Sequence, residues 1–89
     1  MERRRVHYSG HVQGVGFRYT VRSIARQYPV TGFVQNLSDG RVVLVAEGDA
    51  TELDRFLSDV SSTMQGYIRT AEPETIAATG EFRTFDVRF

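Results

Sequence analysis

Apolar residues keep to every second position at the start of the chain. Val6, Tyr8 and Val12 share one parity with Gly10 between them, while His7, Ser9 and His11 take the other. Alternation with period two predicts a half-buried strand over Arg5 to Val12. Gln13 to Phe17 interrupts it with two glycines. Val21, Ile24, Ala25 and Tyr28 then recur at helical spacing, and Pro29 stops that helix. Val30 to Leu37 predicts a second strand and valine-rich Arg41 to Glu47 a third. Ser38-Asp39-Gly40 supplies the turn between them, because Asp-Gly tolerates the positive φ of a tight hairpin. Asp49 followed by Glu52 predicts a capping box, with Leu53, Phe56, Leu57 and Val60 as the buried stripe of a second helix. Tyr67 to Ile76 predicts a strand broken by Pro73, and Phe85, Val87 and Phe89 alternate as a last strand.

The order β-α-β-β-α-β plus a terminal strand predicts one α+β domain over residues 1–89. Its expected form is a ferredoxin-like two-layer sandwich, an antiparallel sheet with two helices on one face. In that arrangement the first and third strands lie at the centre and the second lies at an edge beside the third. The pairing of the terminal strand is left open. A chain of 89 residues builds one core.

Composition narrows the chemistry. No cysteine is present, which excludes disulfides, thiolate metal sites and a cysteine nucleophile. No apolar run approaches the roughly 18 residues of a bilayer span, and no apolar stretch follows the early arginines as a secretory signal requires. A cytoplasmic location is expected, with no membrane partner.

Net charge is zero but unevenly spread. Through Val45, seven arginines face only Glu2 and Asp39; from Ala46 onward, four arginines face nine acids. The basic half also holds the two segments with the most chemical character, as steering of a small anion would favour.

The first of those segments is Gly10-His11-Val12-Gln13-Gly14-Val15-Gly16-Phe17-Arg18. Gly14 and Gly16 adopt backbone conformations closed to other residues, so successive N–H groups can converge on one point. A helix starting near Phe17 or Arg18 adds its free N-terminal donors and the positive end of its dipole. Arg18 brings a planar fork that matches two phosphate oxygens. The second segment is Gly32-Phe33-Val34-Gln35-Asn36, followed by Gly40, Val42 and Gly48. The Asn36 carboxamide is able to accept from a water while donating to phosphate. Spacing alone does not place it at the cradle.

These residues resemble the acylphosphatase family. The first segment reproduces its Gly-x-Val-Gln-Gly-Val-x-Phe-Arg pattern, with Gly16 in the variable slot. The second reproduces Gly-aromatic-Val-x-Asn-x-x-x-Gly-x-Val and a later Gly, complete from Gly32 to Gly48. The resemblance implies metal-independent hydrolysis of the carboxyl-phosphate bond of acyl phosphates, with no cofactor. It further implies that the loop Gln13, Gly14, Val15, Gly16 and Phe17 binds phosphate through its backbone, that Arg18 completes the site, and that Asn36 orients the attacking water. Arg18 and Asn36 are then the catalytic residues. The expected partners are a small acyl phosphate and inorganic phosphate, the latter as product and competitive inhibitor. The departures are Tyr28-Pro29-Val30-Thr31, Gly66 to Gly80 and the final Phe89, none of which touches the implied site.

Rival readings are weaker. An acylphosphatase-like domain handling carbamoyl phosphate within a larger enzyme keeps the same motifs, but a chain of one domain argues for a free-standing enzyme, and a monomer is expected of a chain this short with no coiled-coil pattern. A nucleic-acid module on this scaffold needs stacking aromatics on its central strands. The third strand, Arg41-Val42-Val43-Leu44-Val45, has none. His7 and His11 stand roughly 13 Å apart on a strand, too far to share a metal. Arg3-Arg4-Arg5 reads as a solvated terminus, and Glu47, Asp49, Glu52, Asp54 and Asp59 as a solvated helix face without calcium-loop spacing. Tyr8, Phe17, Phe33, Phe82 and Phe85 read as core.

Overall fold

A computed structural model describes residues 1–89. Five strands and two helices follow in the order β1 (Glu2–Gly10), α1 (Phe17–Ala25), β2 (Thr31–Asn36), β3 (Val42–Gly48), α2 (Ala50–Thr63), β4 (Ile68–Ala77) and β5 (Phe85–Arg88). They build one sheet in the order β4-β1-β3-β2-β5, with the core between it and the two helices. Alternation does the sorting. Val6 and Tyr8 of β1, Val34 of β2, and Val42, Leu44 and Ala46 of β3 all join the core cluster. The helices return Phe17, Val21, Ile24 and Ala25 from α1, and Leu53, Phe56 and Val60 from α2. No helix is long and apolar enough to cross a membrane.

The ferredoxin-like sandwich stands, with corrections of detail. β2 is not an edge strand, because β5 lies outside it, and that pair is parallel. The sheet is therefore mixed rather than antiparallel throughout. Pro73 does not break β4; the β1–β4 register runs through Val6↔Pro73 without a shift. A proline is tolerated there because β4 is an edge, with β1 as its one neighbour. The capping box does not form: Asp49 is the N-cap of α2 without a side-chain cap bond, and Glu52 accepts instead from Arg55.

The early arginines are not a solvated terminus. β1 begins at Glu2, and Arg3, Arg4 and Arg5 are strand residues whose charges are met by distant acids. Arg3 pairs with Glu47 at 2.7 Å and Glu81 at 2.6 Å, Arg4 with Asp54 at 2.7 Å and Arg5 with Glu74 at 2.7 Å. Glu47 is likewise not on a helix face. It is a buried β3 residue that accepts from Arg3, from the Thr79 N–H at 2.9 Å and from the Gly80 N–H at 3.0 Å. It thereby fastens the link that carries the chain from β4 at one edge to β5 at the other. Phe33 and Phe82 also leave the core. They meet edge to face at 5.8 Å, with the Arg88 guanidinium 3.8 Å from the Phe33 ring centre.

Candidate active site

β1 and the hairpin between β2 and β3 end on the same side of the sheet. Asn36 pairs in register with Val42, which pairs with Tyr8, so one row crosses three strands just before β1 gives way to the loop at Gly10. Asn36 has the parity of buried Val34 and so lies on the helix-covered face. α1 packs against β2 and β5, so the loop from His11 to Gly16 carries the chain across to the Asn36 side.

The loop has the backbone its sequence asks for. Gly14 and Gly16 have φ of 76° and 75°, the left-handed region. A Cβ at either would meet nothing within 4 Å, so conformation rather than crowding selects glycine. Gly16 is also the N-cap of α1, and no side chain caps that helix or places an acid in its first turn. Its first N–H groups and the positive end of its dipole are left for an outside acceptor. Val15 is exposed at the loop tip. Phe17 is buried, its ring 5.3 Å from that of Tyr8. Burial pushes the Tyr8 phenol up, so it stays neutral beneath the loop.

Gln13 makes a contact that its sequence context does not reveal. Its side-chain Nε2 donates to the carbonyls of Leu37 at 2.8 Å and Arg41 at 2.9 Å. One carboxamide thus ties the loop to the hairpin, one residue beyond Asn36. A Gln in a glycine-rich loop gives no hint of which carbonyls it will reach. At the same hairpin, Asp39 is lowered from its ordinary carboxylate value by the Arg41 N–H, then by the Arg41 guanidinium at 2.8 Å. Its charge is answered locally.

Arg18 sits in the first turn of α1, half-buried against the end of β5. Its Nη1 donates to the Arg88 carbonyl at 2.9 Å, and its guanidinium carbon lies 4.7 Å from the Phe89 ring centre. Those two contacts fix the fork, and they correct one expectation: Phe89, read as clear of the implied site, touches Arg18. The Asn36 Oδ1 is closed off from solvent and has no hydrogen-bond partner. An unpaired buried acceptor costs about 1–3 kcal/mol, so its presence here points to use.

Electrostatics concentrate on the same helix. Arg3, Arg4, Arg5 and Arg41 are all ion-paired, so Arg18, Arg22 and Arg26 of the basic half are left without an acidic partner. No group of three or more His, Asp or Glu side chains is placed to hold a metal. A surface depression of about 410 Å³ is lined by Gly10, His11, Gly66, Tyr67, Ile68 and Arg69, beside the loop rather than within it. Neither the loop residues Gln13 to Arg18 nor Asn36 line it.

Comparison with known proteins decides what this arrangement belongs to. The family model for acylphosphatase matches residues 4–87. The chain belongs to the acylphosphatase family. An acylphosphatase from Archaeoglobus fulgidus is 53% identical over 57 residues, which span 64% of each chain. The crystal structure of the acylphosphatase from Bacillus subtilis superposes with a TM-score of 0.89 at 29% identity, covering 100% of both chains. HypF from T. kodakarensis matches at a TM-score of 0.85 and 31% identity, over 100% of this chain but 12% of that one. The acylphosphatase fold, the two motifs and the family relatives make this chain an enzyme, a hydrolase of the acid-anhydride class acting on acyl phosphates.

Proposed function

We propose that the enzyme hydrolyses acyl phosphates without a metal or cofactor, with Gln13 to Phe17 and Arg18 holding the phosphoryl group and Asn36 holding the water. The observation that carries this reading is the unpartnered, buried Oδ1 of Asn36 beside a loop of left-handed glycines and an uncapped helix start. An acceptor shut away from solvent at that place suits one ordered water.

The reaction needs little acid–base help. The water oxygen attacks phosphorus while the bond to the acyl oxygen breaks, and the electron pair leaves on a carboxylate whose conjugate acid has a pKa of about 4. That leaving group departs unprotonated. The proton of the attacking water passes to a phosphate oxygen, giving inorganic phosphate and a carboxylate. Backbone N–H groups, the α1 dipole and the Arg18 fork face the three equatorial oxygens, where charge spreads in the transition state. Fixing water and phosphorus in one geometry supplies the rest. Inorganic phosphate, sharing those oxygens, is a competitive inhibitor on this reading, and the protein works as a cytoplasmic monomer.

Competition by inorganic phosphate tests the assignment. Asn36→Ala should lose turnover while its inhibition constant for phosphate stays within about twofold of wild type. Equal loss of both would return Asn36 to a binding or structural part. Hydrolysis of carbamoyl phosphate in strong preference to other acyl phosphates would favour the carbamoyl-phosphate-handling reading.

A further inference from the structure

Two polar side-chain atoms are shut away from solvent without a hydrogen-bond partner, the Asn36 Oδ1 and the Arg22 Nε. The proposed reaction gives the first a use and leaves the second without one. Arg22 lies in the last turn of α1, four residues beyond Arg18, and Arg26 follows as the C-cap, so the three share a helix face. The Arg22 guanidinium carbon lies 5.1 Å from the Tyr19 ring centre. A ring attracts a guanidinium but supplies no oxygen to its N–H groups. The negative end of the α1 dipole suits basic residues here, yet it gives no reason for an N–H closed off from water.

Arg22 and Arg26 both line a depression of about 390 Å³ between α1 and the start of β5, with Ala25 and Phe85 as apolar neighbours and Thr84 on the strand side. Asp86 is the one acid in the lining. Its Oδ2 accepts from the Thr84 hydroxyl at 2.7 Å, and it pairs with neither arginine. Phe85 and Val87 pack against the core, so alternation turns the Asp86 side chain to the opposite face of β5. Neither the loop residues Gln13 to Arg18 nor Asn36 line this depression, which separates it from the phosphate cradle.

We propose that the depression is a second anion site, which takes a small dianion of carboxylate or phosphate type. The Arg22 Nε–H is its buried donor, and exposed Arg26 supplies a second positive charge at the rim. An oxygen placed on Nε satisfies the donor that the fold leaves unpaired, and the planar fork matches the spacing of two such oxygens. The site does not depend on the acyl-phosphate reading and lies outside the catalytic machinery.

The test follows the Arg22 Nε–Hε resonance by NMR, assigned through bonds from the Arg22 amide. Inorganic phosphate or malonate is added while chloride holds the ionic strength constant, in wild type and in Arg18→Ala, where the cradle has lost its fork. A saturable shift should appear in both proteins, with Kd values within about twofold, and Arg22→Met should bind at least about tenfold more weakly by calorimetry in the Arg18→Ala background. A response to phosphate alone, or to malonate alone, supports the site and names the class of its ligand. A shift seen in wild type and lost in Arg18→Ala would assign the effect to the cradle and overturn the proposal. Absence of a saturable shift with either anion would overturn it as well. Because the signal belongs to Arg22 itself, both outcomes are readable even if Arg22→Met fails to fold.

Discussion

The side-chain amide of Gln13 donates to the carbonyl of Leu37 at 2.8 Å, and this bond joins the glycine loop after β1 to the residue that follows Asn36 at the end of β2. The loop and Asn36 otherwise belong to separate elements, the loop following β1 and Asn36 closing β2, with β3 between those two strands. A second bond from the same nitrogen reaches Arg41, on the far side of the hairpin turn. The loop's placement therefore depends on one residue that need not touch substrate with its side chain.

Gln13→Ala should leave two carbonyls without their donor and cost about 1–3 kcal/mol of stability. Turnover should fall further than that loss implies, because the loop is no longer held against β2. Gln13→Glu should do the same or worse, since a carboxylate cannot donate to a carbonyl. Urea unfolding beside steady-state kinetics checks both. Full activity in a destabilised Gln13→Ala would show that the tie serves folding alone.

Asn36→Ala should behave in the opposite way. Its Oδ1 bonds no protein group, so deleting it breaks no hydrogen bond within the fold and stability should be nearly unchanged. Activity should fall by about a hundredfold, the scale of losing one positioned polar group in a transition state. A loss of stability of several kcal/mol would mean that Asn36 holds the strand rather than water.

Glu47 should govern stability in acid. Burial alone would push its carboxyl up, but the Thr79 N–H, the Arg3 guanidinium and the Gly80 N–H together hold it below the usual value of 4.5. A carboxyl depressed in the folded state gives stability that is present above its unfolded pKa and lost as pH falls through its folded one. The melting temperature should therefore be flat from pH 7 to about 5 and drop below about 4.5. Glu74 and Glu81, both lowered first by hydrogen bonds from arginine, act in the same direction. Glu47→Gln should melt lower at pH 7 and lose part of the acid transition. An acid transition identical to wild type would assign it to other carboxylates.

Much of this was legible in the sequence, for identifiable reasons. The strands β1, β2 and β3 bury one face, so their parity is written in valine and tyrosine. The helices bury stripes, and the loop's two glycines announce a backbone that only glycine takes readily. What stayed hidden depends on partners far away in the chain. Arg3 meets Glu47 and Glu81, 44 and 78 residues on, and no local pattern separates such an arginine from a solvated one. The four residues of β5 are too few to declare their neighbour, and their parallel place beside β2 is set by a link whose anchor is Glu47. At the site, both motif residues were visible, whereas the Gln13 tie and the contacts of Arg18 with Arg88 and Phe89 exist only in three dimensions.

Hydrolysis of benzoyl phosphate in the presence of EDTA, by wild type and by Arg18→Ala, tests the central claim most directly. Both proteins should be folded by circular dichroism. Wild type should turn over undiminished by the chelator, and Arg18→Ala should lose at least about a hundredfold in kcat/KM, because the charge-assisted fork is gone from the transition state. Loss of wild-type activity to EDTA, or an Arg18→Ala variant as active as wild type, would contradict it.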